Sequence, residues 1–296
     1  MSRWRASGIH LLLSALVGIA VLLLLFFVWY PGPLFRAAGG EKLLLLIVGI
    51  DIIAGPLLTL IVFDTKKKSI KFDLAVIGLI QAGFLAYGLM TMTVSRPAFI
   101  AFAVDRYMVV AANAISDEDL AAAAEPEFRS VGWTGPRFVY VEMPTDSDEQ
   151  MLLVDSALAG KDVESFPKYY RRHDEHTAKV VARAWTLSLL HGLDQQIDAR
   201  IAELEGEHGA EQIAFLPLRT KLAEMSLVIS KSDATPLAYL DIDPWSVIQA
   251  ETIERRDAAE AQPEPSGPSA GEVGVTDPDP EPVAAPPDTA QGGEEG

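Results

Sequence analysis

The chain has 296 residues, of which 49% are hydrophobic, no cysteine and a formal net charge of −17. That length holds a membrane part beside one domain of ordinary size. The lack of cysteine excludes disulfides, thiolate metal sites and thiol nucleophiles, and the acidic balance argues against nucleic acid as a partner.

No charged residue occurs from Ala6 to Phe35, and the run Ile9 to Tyr30 inside it matches the ~20 residues that cross a ~30 Å hydrocarbon layer. The opening MSRWR is basic, like the start of a secretory signal. The apolar run outlasts the roughly 7–15 residues of a signal's core, however, and ends in an interfacial Trp29-Tyr30 pair. An uncleaved anchor is expected, with cleavage near FRAAGG as the alternative. A second span is predicted from about Leu43 to Phe63 and a third from Asp73 to Val94. Lys66, Lys67, Lys68 and Lys71 lie between them, and Arg3 and Arg5 precede the first. Short basic segments stay on the cytoplasmic side. The N-terminus is therefore expected inside, the linker carrying Arg36 and Lys42 outside, and everything after Arg96 in the periplasm of a double-membrane bacterium.

Asp51 interrupts the second span. At 1.5 Å per residue it lies about 12 Å below the outer face, where a polar group costs at least ~2.5 kcal/mol unless it faces the bundle and finds a partner. Gly55 and Thr59 follow at i+4 and i+8, forming a small, polar stripe suited to close helix approach. Pro56 removes one backbone hydrogen bond and predicts a kink. Gln81 of the third span is the expected internal partner. Two readings of Asp51 stand side by side: an internal hydrogen bond that holds the helices together, and a docking point for a partner helix. An intramembrane aspartyl protease would need a second deep carboxylate, whereas Asp64 and Asp73 lie at the cytoplasmic edge.

Beyond Pro97 the pattern becomes that of a soluble α+β domain. AFIAFAVDRYMVVAA reads as one strand, SDEDLAAAA as a short helix capped by Ser116 with Asp119 three residues on, and PRFVYVEMP as a strand. DSDEQMLLVDSALAG reads as a helix stopped by Gly160, and the segment from Phe166 to Gly209 as one or two longer amphipathic helices. QIAFLPLR, AEMSLVISK and PLAYLDIDPW close the domain as strands. Five strand-like runs and three or four helices suggest one sheet with helices on one face. His173 and His176, three apart, could bind a metal, though their Arg and Asp neighbours suit a charged surface better. His191 is expected in the core or at a cap, and His208 in a Gly-rich turn. Tyr169, Tyr170 and Trp185 are expected to pack inside. No hydrolase elbow or phosphate-binding glycine loop occurs, so no catalytic residue, metal or cofactor is assigned. After Arg256 there is no Lys or Arg and almost no bulky apolar residue, a composition that cannot form a core. The tail reads either as a docking arm or as a solvated appendage. The expected division is 1–95 as a three-helix transmembrane region, 96–250 as a periplasmic α+β domain and 251–296 as a disordered, acidic, Pro-rich tail.

The segments YPGPLFRAAGG, GIDIIAGPLLTLIVF, DLAVIGLIQAGFLAYG and SRPAFIAFAVDRY, with the basic loop among them, resemble the TfpX/TfpZ family of type IV pilin accessory proteins. The likeness continues through Gly135-Pro136, Pro167 with Tyr169-Tyr170, Leu216-Pro217 and Pro244-Trp245, and covers Arg3 to Trp245. It implies an inner-membrane, multi-pass accessory factor, chaperone-like and without catalysis, that supports the major pilin and other pilus assembly components. An envelope enzyme that modifies pilin is the competing expectation, and a membrane sensor with an outer ligand-binding domain is a third.

Overall fold

The computed structural model describes residues 2–64 and 67–260. Lys66, part of the basic loop, and residues 261–296 of the acidic tail lie outside them.

Helix α1 (Arg3–Leu24) starts at Ser2, whose hydroxyl accepts the Arg5 amide at 3.3 Å, and widens into a π-type turn over Leu25–Trp29. A short helix, α2 (Leu34–Ala37), precedes α3 (Gly40–Val62) and α4 (Ile70–Ser95). Among the described residues, two helical stretches are long and apolar enough to cross a membrane, Arg3–Trp29 and Ile70–Ser95; in α3 the apolar stretch is Val48–Val62. The outward faces carry Leu12, Phe27, Ile53 and Leu79, the reverse of a water-facing helix. α3 runs unbroken through Pro56 as helix.

The domain that follows is built on one seven-stranded mixed sheet: β1 (Pro97–Ala103), β2 (Arg106–Ala111), β3 (Arg137–Val141), β4 (Tyr170–Arg172), β5 (Ile213–Arg219), β6 (Glu224–Ser230) and β7 (Pro236–Leu240), in the order β4-β3-β1-β2-β5-β6-β7. β1 with β3 and β2 with β5 are parallel pairs, and the rest are antiparallel. The run expected as one strand is the β1–β2 hairpin. Its turn puts Val104 at φ 61°, a conformation that a β-branched residue rarely adopts, so no Gly, Asn or Pro marks it in the sequence.

Helix α5 (Asp117–Ala121) forms where its Ser116 cap predicts it, and α6 (Ser147–Leu158) ends just before Gly160. Ser116 and Asp119 make a reciprocal capping box, and Asp146 accepts the Glu149 amide at 3.0 Å. The segment from Phe166 to Gly209 departs from expectation. It holds β4, the one-turn helix α7 (Thr177–Val181), several 3₁₀ turns and a single longer helix, α8 (Gln195–His208). Tyr170 and Arg172 pair with Val141 and Val139 of β3, so ladder bonds to a distant strand override the local helical pattern.

Helices also cover both faces of the sheet rather than one. Along β1, Phe99 and Ala101 face a core shared with Leu120 of α5 and Tyr170, while Ile100 and Phe102 face one shared with Val180 of α7, Leu216 and Leu227. A third cluster sets Ile201 and Leu204 of α8 against Phe215 and Val228. Every residue of β1 is buried, as a strand sandwiched on both faces must be.

The linker between α1 and α3 is part of this domain. Leu34 and Ala37 of α2 lie in the same core as Ile100, Tyr107 and Leu216, and the Thr220 hydroxyl donates to the Ala37 carbonyl at 3.2 Å. Gly39, at φ +76°, opens α3 there, and a Cβ on it would stand 2.9 Å from Leu222 Cδ1. At the other seam Trp29 meets Trp133 edge-on at 5.4 Å, and the Tyr30 hydroxyl donates to the Met92 carbonyl at 3.0 Å. Buried Arg96 donates to the carbonyls of Thr93 and Gly132, each at 2.5 Å. Helix α9 (Trp245–Glu260) ends the described chain. Ile248 is buried in the third cluster, and the helix continues through the first ten residues of the stretch expected as tail.

Candidate functional site

The stripe read from the sequence is the buried face of α3. Asp51, Gly55, Pro56 and Thr59 are all buried, while Ile53, Leu57 and Leu58 between them are exposed. Spacings of four and eight residues bring Asp51, Gly55 and Thr59 over one another on a helix, and α1 and α4 pack against α3.

Gln81 of α4 lies against α3 at Asp51. Its Nε2 donates to the backbone carbonyl of Asp51 at 3.2 Å. Asp51 Oδ1 and Gln81 Oε1 are both buried with no hydrogen-bond partner. Gly55 is what lets Gln81 sit there: a Cβ at 55 would overlap the Gln81 amide, 2.7 Å from its Cδ and 2.8 Å from Oε1.

Helix α1 supplies partners that the sequence reading missed. The Ser7 hydroxyl donates to the Pro56 carbonyl at 2.9 Å, and His10 Nδ1 lies 2.5 Å from Thr59 Oγ1. Ser14 is buried further along the helix, and a Cβ on Gly18 would stand 3.1 Å from Val48. The available signal was the recurrence of small or polar residues at 7, 10, 14 and 18, which is a helical face inside an apolar run. The cluster thus joins three apolar helices and presents two acceptor oxygens that need a donor. A buried acceptor left unpaired costs about 1–3 kcal/mol, so the arrangement can receive an N–H, an O–H or a cation. One carboxylate flanked by Gln, His and Thr is not the paired-carboxylate arrangement of an aspartyl protease.

In the sheet domain the other candidates make local contacts. His173 Nε2 lies 2.7 Å from the hydroxyl of Tyr107, whose buried phenol has its pKa pushed up by desolvation. His176 stacks on Tyr140 at 4.4 Å and its Nδ1 is 3.1 Å from the Arg172 carbonyl. Both sit at a 3₁₀ turn rather than on a helix face. His191 is exposed rather than in the core, with Nδ1 3.3 Å from Asp198, and His208 ends α8 before Gly209. Tyr169 and Tyr170 are buried, and Trp185 bridges to Phe215 beside the third cluster.

The family description "Fimbrial assembly protein FimB" matches residues 1–39. Over 248 residues the chain is 31% identical to a protein of Dichelobacter nodosus named "Fimbrial assembly protein, serogroup I", covering 82% of this chain and 96% of that one. The serogroup E1 protein of the same organism is 30% identical over 249 residues with the same coverage. The protein of serogroups C1 and C2 is 37% identical over 121 residues, 40% of this chain and 92% of that one. No solved structure matches. With similarity running through both the apolar helices and the domain built on them, the chain belongs to the family of fimbrial assembly proteins.

Proposed function

We propose that the protein is a non-enzymatic accessory factor of type IV pilus biogenesis, of the TfpX/TfpZ kind, that holds a pilin subunit in the inner membrane before assembly. The observation that carries this reading is the similarity to fimbrial assembly proteins along nearly their whole length. α1, α3 and α4 cross the membrane, with the N-terminus in the cytoplasm and the domain in the periplasm. At 23 residues α3 is about 35 Å long at 1.5 Å per residue, enough for a ~30 Å layer, and it packs between α1 and α4. The free acceptors of Asp51 and Gln81 serve as the membrane contact, because a carboxylate in hydrocarbon attracts a donor or cation from a partner helix.

Deleting the gene should abolish piliation without lowering pilin transcription, and the tagged protein should co-purify with pilin from detergent. Asp51→Asn keeps size and hydrogen bonding but loses the charge. The protein should accumulate normally while pilin recovery and piliation fall. Full piliation by Asp51→Asn would reduce Asp51 to an internal structural group. A change in pilin mass between cells with and without the protein would replace the reading with that of a pilin-modifying enzyme.

A further inference from the structure

Beside the polar cluster, on the outer half of the α1–α3 pair, lies a trough of about 1010 Å³. Its walls are apolar, with Leu22 and Phe26 from α1 and Leu45, Val48 and Ile52 from α3. Its α3 wall runs from Glu41 to Ile53, about 18 Å at 1.5 Å per residue. The rim is charged: Arg36 Nε donates to Glu41 at 2.9 Å, and Asp241 adds its field at Arg36. A guanidinium has five N–H donors, and Glu41 takes one of them.

We infer that this trough holds one zwitterionic phospholipid with a primary ammonium headgroup, its acyl chains along α1 and α3, its phosphate on Arg36 and its ammonium between Glu41 and Asp241. Two observations favour a lipid over a partner helix. The outer end is bounded by Leu222, Ala223 and Asp241 of the domain. A spanning helix would have to leave through that end, whereas a lipid terminates there in its headgroup. The rim also pairs one cation with two carboxylates, which complements a phosphate and an ammonium together. An anionic lipid would satisfy Arg36 alone and face two like charges. The lipid would complete the seam where α2 and α3 enter the domain.

The inference rests on the reading of α1 and α3 as membrane-crossing. The full chain is extracted in mild detergent, stripped of lipid and titrated with dioleoylphosphatidylethanolamine or dioleoylphosphatidylglycerol under native mass spectrometry. One ethanolamine lipid should bind about fivefold more tightly than the glycerol lipid, and Arg36→Gln should weaken it about fivefold, the scale of one partly exposed ion pair. A Cβ on Gly49 meets nothing within 4 Å, so Gly49→Phe fills the trough and should abolish binding while the protein stays monodisperse. Leu45→Trp, at an exposed wall position, serves if Gly49→Phe does not fold. Equal binding of the two lipids, unchanged binding in the filled variants, or a polypeptide retained in place of lipid would overturn the inference. A chain released from membranes by carbonate would overturn the membrane reading instead, while one that resists carbonate yet binds no lipid sinks only the lipid.

Discussion

Placing a methyl group at Gly55 tests how α3 and α4 are held together. Gly→Ala inside a helix is ordinarily favourable by about 0.5–1 kcal/mol. Here the new Cβ would stand 2.7 Å from Gln81 Cδ and 2.8 Å from Oε1, so the amide must move aside. Overpacking of this kind costs about 1–3 kcal/mol, and displacing Gln81 also forfeits its 3.2 Å bond to the Asp51 carbonyl, worth about 0.6 to 1.7 kcal/mol between membrane helices. The net expectation for Gly55→Ala is a loss of about 1–2 kcal/mol. Gln81→Ala alone loses the hydrogen bond but leaves no clash. In the double variant the amide is gone, so the methyl fits and its helical benefit returns. The two changes should therefore couple by about 1.5–3 kcal/mol, the cost of Gly55→Ala plus the helical benefit that returns, well outside the 0.3–0.5 kcal/mol within which independent sites add. The assay is loss of helical circular dichroism of the full chain in mixed detergent micelles of rising sodium dodecyl sulfate content. Strict additivity, or a Gly55→Ala protein as stable as the parent, would refute the close contact and with it the alignment of the two helices.

Two further outcomes follow from the domain and its seam. Gly39→Ala must hold φ +76°, a left-handed backbone that costs an L side chain about 1–2 kcal/mol. Gly39→Asn should lose less because Asn tolerates that region, and equal melting of all three proteins would refute the strain. Burial alone would raise the pKa of Asp119, but hydrogen bonds from Lys161 at 2.5 Å and from Ser116 outweigh it and hold the carboxyl below its ordinary range. A depressed folded-state pKa gives stability that is present above the ordinary carboxylate pKa of about 4 and is lost as pH falls through the folded value. Asp119→Asn should thus lower the melting temperature at neutral pH and converge with the parent in acid, and a pH-independent difference would refute the linkage.

The sequence by itself determined what depends on local chemistry and period. Apolar length marked the helices α1 and α4, since an uninterrupted run of about twenty such residues is the length that could cross hydrocarbon. Spacing gave the stripe of Asp51, Gly55 and Thr59, because a helix repeats every 3.6 residues. Ser116 marked the start of α5, because a cap acts within three residues of itself, and Gly160 marked the end of α6. Tertiary structure alone decided the rest. β4 is a strand only because β3 lies beside it, and Val104 turns left-handed only because the β1–β2 ladder closes around it. The linker with Leu34 and Ala37 belongs to the domain core only because the sheet offers an apolar face there. Ser7 and His10 join the cluster for a similar reason: their partners are 49 residues away in the chain, and no local pattern encodes a contact made by packing two helices antiparallel.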